Sequence, residues 1–151
     1  MHEEAVRVPC FFHSPILPNA GTISQALVSS LDIYPTLLDY AGAPAIESLM
    51  GQSLRKIIEH PDTKLRDSIA SECVGVGGQL GQGHRMVRTE HFKYIFSGDN
   101  EEALYDLRTD PFELKNLAVN SADAGPLQTH RNLLTSWMNQ VGDTHARPAK
   151  E

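Results

Sequence analysis

Only two cysteines, Cys10 and Cys73, occur in 151 residues. They are too few and too far apart for a disulfide framework or a zinc knuckle. Each stands in an apolar, strand-like setting, which leads us to expect buried free thiols. Charge of one sign is also scarce: 13 basic against 19 acidic side chains leave a net charge of −6. No run of Lys or Arg forms a stripe able to neutralise successive phosphates, which argues against nucleic-acid binding. No apolar run approaches the roughly 20 residues needed to cross a bilayer, and the polar start "MHEEAVRV" lacks the basic and then apolar order of a signal peptide, so no membrane partner is expected. Internal repeats and low-complexity tracts are missing, which sets solenoids and linkers aside.

Local catalytic signatures are missing as well. There is no G-x-S-x-G, and no serine or cysteine has a neighbour that would activate it. The seven histidines, at positions 2, 13, 60, 84, 91, 130 and 145, include no H-x-x-x-H pair. No catalytic residue and no metal ligand is therefore assigned.

What is present is a chain with 40% hydrophobic residues, enough for one ordinary core. "RVPCFF", residues 7–12, reads as a short buried strand broken by a proline. "HSPILPNAG" follows as a loop rich in turn residues. In "SSLDIYPTLLDYAGA", Ser30 or Asp32 can cap a helix, Pro35 fits its first turn, Ile33, Leu37, Leu38 and Ala41 recur at helical spacing, and Gly42 stops it. "GQSLRKIIEH" reads as a second short helix with Ser53 as cap and Leu54, Ile57 and Ile58 inward. From about Asp67 the period shifts toward two, and "SIASECV", "RMVRT", "FKYIFS" and "ALYDL" give four strands of a small antiparallel sheet. Leu127, Leu134, Trp137, Met138 and Val141 share one face of a final helix that should cover that sheet.

Two stretches could carry chemistry. "VGVGGQLGQGH" is a glycine-rich segment without the P-loop or dinucleotide pattern; it is either a hairpin loop or a loop that folds over a ligand. His84 and Arg85, at its end, could reach an anionic ligand. In "RTDPFELKNLA", Asp110 and Glu113 could be an acid/base pair or calcium ligands, but Asp110-Pro111 suits a type I turn, and turn construction is the expectation.

These segments in this order resemble the C-terminal part of the sulfatase family, within the alkaline phosphatase superfamily. The resemblance rests on "EEAVRVP", "LVSSLDIYPTLLDYAG", "GQSL", "RMVRTEHFKYI" and "LYDLRTDPFELKNLA", and it spans nearly the whole chain. It implies an α/β fold, or α+β for the chain alone: the last strand and helices of a large α/β domain over residues 1–60, and a small four-stranded antiparallel sheet packed on a C-terminal helix over residues 61–151.

It also implies a parent that hydrolyses sulfate esters with calcium and a formylglycine made from a Cys-x-Pro/Ala-Ser-Arg motif. Neither cysteine here stands in that motif, and the family's metal and sulfate ligands lie upstream of "EEAVRVP". The chain alone is thus expected to hold no cofactor and to be inactive. His84 and Arg85 are candidates for contacts with the non-sulfate part of a substrate, and Glu3 and Arg7 for supporting the active site. The implied partners are the missing N-terminal sulfatase domain, or a second copy pairing through the orphaned strand, and for the parent a sulfated small molecule or glycan. Family members are often periplasmic, secreted or lysosomal. Two alternatives stand beside this: a stand-alone binding or assembly module, and the tail of a phosphonate or phosphate ester hydrolase.

Overall fold

The structure, a computed structural model, describes residues 1–73, 83–97, 100–120 and 124–144. They form two compact units, one joining Met1–Pro9 to Ala70–Glu151 and the other comprising Cys10–Ile69.

The first unit is built on a four-stranded sheet in the order β1 (Ser68–Cys73), β2 (His84–Thr89), β3 (Phe92–Ser97), β4 (Glu102–Asp106). The β2–β3 and β3–β4 pairs are antiparallel, with Val87 opposite Tyr94 and Tyr94 opposite Leu104. Side chains alternate between the two faces of a strand, so the period of two read from the sequence sorts these residues into two layers. Val87, Tyr94, Phe96 and Leu104 pack on Leu127, Leu134 and Met138 of helix α4 (Ala124–Val141). Met86, Ile95 and Tyr105 on the other face pack with Met1 and with Val6, the last residue of the short helix α1 (Glu3–Val6). The central strand β3 is therefore covered on both sides. Burying each large side chain of the α4 layer contributes about 1.5–3 kcal/mol.

The edge at β4 is closed by the segment that follows it. Asn116 Oδ1 accepts the Leu104 N–H at 3.0 Å, Asn116 Nδ2 donates to the Glu102 carbonyl at 3.0 Å, and the Leu117 N–H donates to the Leu104 carbonyl at 2.8 Å. An edge strand left open is a template for pairing with another chain, and here a side-chain amide occupies its free groups.

The second unit is organised around a polar hub. Ser29 and Asp32 form a capping box on a 3-10 turn at Ser30–Asp32, which runs into α2 (Ile33–Tyr40). Asp32 and Thr36 are fully buried. The Gln52 N–H donates to Asp32 Oδ1 at 2.8 Å, the Leu54 N–H to Thr36 Oγ1 at 2.8 Å, and Ser53 Oγ to Asp39 Oδ2 at 2.6 Å. This is how "GQSL" docks on the helix. A Cβ on Gly51 would lie 2.0 Å from the Leu31 carbonyl oxygen, so only glycine permits the approach. Arg66 completes the hub with a two-pronged ion pair to Asp32, at 2.7 and 2.8 Å. Helix α2 stops at Gly42, whose φ of 67° allows the Ala43 N–H to reach back to the Leu38 carbonyl at 3.0 Å. Leu54 and Ile57, at and within α3 (Arg55–Glu59), are buried as their spacing predicts.

Four expectations are corrected. Residues 7–12 form no strand; Val8 is 69% exposed and Phe11 88%. An extended run has to place its N–H and C=O groups against a neighbouring strand, and none lies beside this one among the described residues. Cys10 in that run and Cys73 at the end of β1 are exposed free thiols rather than buried ones. The apolar stripe of α2 does not face inward either: Ile33 and Leu37 are exposed, and the helix buries Asp32 and Thr36 instead. The polar hub outcompetes the apolar face because it satisfies several backbone N–H groups at once. Helix α3 begins at Arg55, one residue later than a cap at Ser53 indicates, while Ser53 Oγ still accepts the Arg55 N–H at 3.2 Å.

Candidate functional site

The four residues singled out in the sequence fall in different surroundings. His84 and Arg85 are adjacent in β2, so they point to opposite faces of the sheet. Half-buried His84 places Nδ1 2.8 Å from Ser97 Oγ, the residue directly across the β2–β3 pair. Arg85 is buried on the α4 side, where Nε donates to Asp143 Oδ2 at 2.8 Å. The glycine-rich segment before them, residues 74–82, lies outside the described residues. Glu3 lies against the face of the sheet opposite α4, and Arg7, at the end of α1, is exposed.

Around Glu3 the structure gathers residues that the sequence reading did not connect. Lys93 Nζ is completely buried, 2.7 Å from Glu3 Oε1 and 2.8 Å from Glu113 Oε1. It also donates to the Met1 carbonyl at 3.2 Å. Glu113 Oε2 accepts the Glu3 backbone N–H at 2.6 Å and lies 3.3 Å from His2 Nδ1. Arg88 Nε lies 3.3 Å from Glu3 Oε1. Two cations thus face two carboxylates, and the cluster is neutral without His2. Burial pushes the Glu3 carboxyl up, but the hydrogen bond and charge of Lys93, then Arg88 and Arg7, outweigh it and hold the group below its ordinary value.

Glu113 comes from the "DPFE" stretch. Asp110 builds that turn as expected, accepting the Leu114 and Lys115 N–H groups at 3.1 and 2.8 Å. Glu113 goes further: it occupies the left-handed region at φ 55°, uncommon for a residue with a Cβ, and sends its carboxylate across to Lys93. The signal for this was in "FKYIF". A lysine at an alternating position of a strand covered on both faces has to meet a counter-charge.

On the α4 side, Glu102 binds Arg131 through two contacts of 2.9 and 2.6 Å and accepts a hydrogen bond from the Tyr94 hydroxyl. Burial and then the Glu102 carboxylate raise the Tyr94 phenol far above its ordinary value. His130 is buried, with Nδ1 2.7 Å from the Pro126 carbonyl and Nε2 3.1 Å from Thr89 Oγ1; desolvation lowers its pKa, partly offset by that carbonyl. These groups are held by one another. In the second unit a pocket of about 390 Å³ is lined by Cys10, Phe12, His13, Leu54, Ile57 and others, and by none of the four candidates. Among the described residues no group of three or more His, Cys, Asp or Glu side chains is placed to hold a metal ion.

Comparison with known proteins places these features in context. A family profile described as N-sulphoglucosamine sulphohydrolase, C-terminal, matches residues 1–140. Human arylsulfatase K is 37% identical over 129 residues, which cover 79% of this chain and 24% of that protein. A protein solved in complex with its substrate D-glucosamine-2-N,6-O-disulfate superposes with a TM-score of 0.67 at 25% identity, over 75% of this chain and 24% of its own. The phosphonate monoester hydrolase of Agrobacterium radiobacter superposes with a TM-score of 0.60 at 29% identity, over 72% and 24%. The chain spans about a quarter of the length of the relatives it matches.

Proposed function

We propose that this chain, which belongs to the N-sulphoglucosamine sulphohydrolase C-terminal family of sulfatases, serves as the C-terminal quarter of a sulfate-ester hydrolase, supplying framework and one wall of the substrate pocket. The observation that carries the reading is the match over residues 1–140 to a family defined by the C-terminal part of such enzymes.

The reacting groups would come from the other three quarters. Formylglycine and calcium, the family's means of attack and charge neutralisation, do not fit the residues present. Cys10 is followed by Phe-Phe-His-Ser and Cys73 by Val-Gly-Val-Gly. The buried or half-buried carboxylates of Glu3, Asp32, Glu102, Glu113 and Asp143 each face a lysine or an arginine.

His84, half-buried beside Ser97, is the proposed contact to the non-sulfate part of a sulfated small molecule or glycan, with Arg85 anchored behind it through Asp143. Glu3 and Arg7 would support the active site from the segment that carries them. The proposed partner is the α/β part of the same kind of enzyme. Eleven of the large apolar side chains left exposed lie between Val8 and Met50, among them Phe11, Ile23, Ile33, Leu37 and Met50, and they would be covered by it.

The test is hydrolysis of an aryl sulfate by the purified chain, with and without calcium. No turnover above background is expected; turnover would overturn the reading. Adding the separately produced α/β part of a close relative should restore activity, and association of the chain only with itself would favour a stand-alone assembly module. The likeness to a phosphonate monoester hydrolase supports a second reading, in which the parent acts on phosphonate or phosphate esters. A phosphonate monoester offered to the reconstituted enzyme in competition with the aryl sulfate separates the two.

A further inference from the structure

We infer that Lys93 and Glu113 form a latch: the buried ammonium, shared between the carboxylates of Glu3 and Glu113, locks residues 1–9 onto the sheet as a strap able to open by itself. This holds for the chain whether or not the enzymatic reading does.

The strap cannot hold its own conformation. Helix α1 has four residues and buries none of them, and a single turn of helix is not stable in water because nucleation costs more than one hydrogen bond returns. Its apolar grip is limited to partly buried Met1 and Val6 against Met86, Ile95 and Tyr105. The polar grip is dense by comparison. Lys93 reaches Glu3 Oε1, Glu113 Oε1 and the Met1 carbonyl, Glu113 Oε2 takes the Glu3 N–H, and Arg88 closes on Glu3 from β2. Glu113 adopts a left-handed backbone to make this possible, and such strain persists only where the surroundings enforce it.

The rest of the first unit does not depend on the strap. Val87, Tyr94, Phe96, Leu104, Leu134 and Met138 form a separate layer on the other face. Opening the latch would leave that layer packed and would release Glu3 and Arg7 together. The sheet thereby decides whether the "EEAVRVP" segment is ordered.

Amide hydrogen exchange on the full chain tests this. The reporters are the Ala5, Val6 and Arg7 amides, which donate within the strap, and the Leu134 and Met138 amides in α4. Lys93→Met leaves the Glu3 and Glu113 carboxylates facing each other without the cation they share, and strap amides should then exchange about 100-fold faster or more. The α4 amides should change by no more than about threefold, since local opening leaves the core protected. Glu113→Gln, which keeps the shape and an acceptor, should speed the strap about tenfold and again spare α4. Unchanged strap exchange in both variants would overturn the latch. Equal acceleration of strap and α4 would overturn its independence, and if Lys93→Met does not fold, Glu113→Gln decides between these outcomes.

Discussion

The first unit buries apolar side chains in two layers, whereas the second buries Asp32 and Thr36 and leaves Ile33, Tyr34 and Leu37 in solvent. Both read as amphipathic in sequence. The difference shows that an apolar stripe reports the presence of a counterpart as much as a local fold: α4 has a sheet to cover, while the stripe of α2 lies uncovered in this chain. The second unit is held by geometry instead, with one carboxylate receiving Ser29, Gln52 and Arg66.

The sharpest way to break the comparison is Asp32→Ala. It strands Arg66 and two N–H groups, and should cost about 3–5 kcal/mol in the second unit, read as lost amide protection from Ser29 to Leu54 with α4 unaffected. Leu134→Ala should do the converse, at about 3 kcal/mol, because its side chain is fully buried in the α4 layer and its loss leaves a cavity.

Acid should separate the units more gradually. His130 has a pKa lowered by burial, so the unfolded chain takes up a proton that the folded one resists, and first-unit stability falls as pH drops below about 6.5. Glu3, also lowered, adds a loss below about 4.5. In the second unit burial pushes Asp32 up, but Arg66 and the Gln52 and Ser29 N–H groups hold it down, so its stabilisation persists until pH falls below about 3.8. Exchange protection followed from pH 7 to 3 should therefore decline first around α4. Replacing His130 with Asn should flatten the early part of that decline. The smallest effect belongs to Leu37→Ser, within about 0.5 kcal/mol for the chain alone, since the residue is 57% exposed. The same change should weaken association with a covering partner, measurable by calorimetry.

The sheet, its helix and the helix stops were legible because each follows from a local rule: alternation in "FKYIFS", a helical stripe ending at Gly142, a glycine after "LLDYA". The strand at residues 7–12 was misread because a strand's stability lies in its neighbours, which local pattern does not contain. The cluster at Lys93 was missed for a related reason. Its members come from positions 2–3, 88–93 and 113, and only the lysine's intrusion into an apolar strand hinted at them. His84 and Arg85 were judged together because they adjoin in sequence, and the pleat of the strand separates them. Two segments of the resemblance that showed no chemistry now have physical work: "GQSL" fills the hub around Asp32, and Asp110, Glu113 and Asn116 of "LYDLRTDPFELKNLA" each tie off a different part of the first unit.

The Glu3 amide and the Glu113 carboxylate that receives it are 110 positions apart. Synthesis from the N-terminus therefore exposes the opening segment long before its receptor exists, and closing so large a loop carries an entropic cost that only late-formed contacts repay. Glu3 and its neighbours would leave the ribosome well ahead of Glu113 and would be among the last residues of this chain to find their place, open until then to chaperones and proteases.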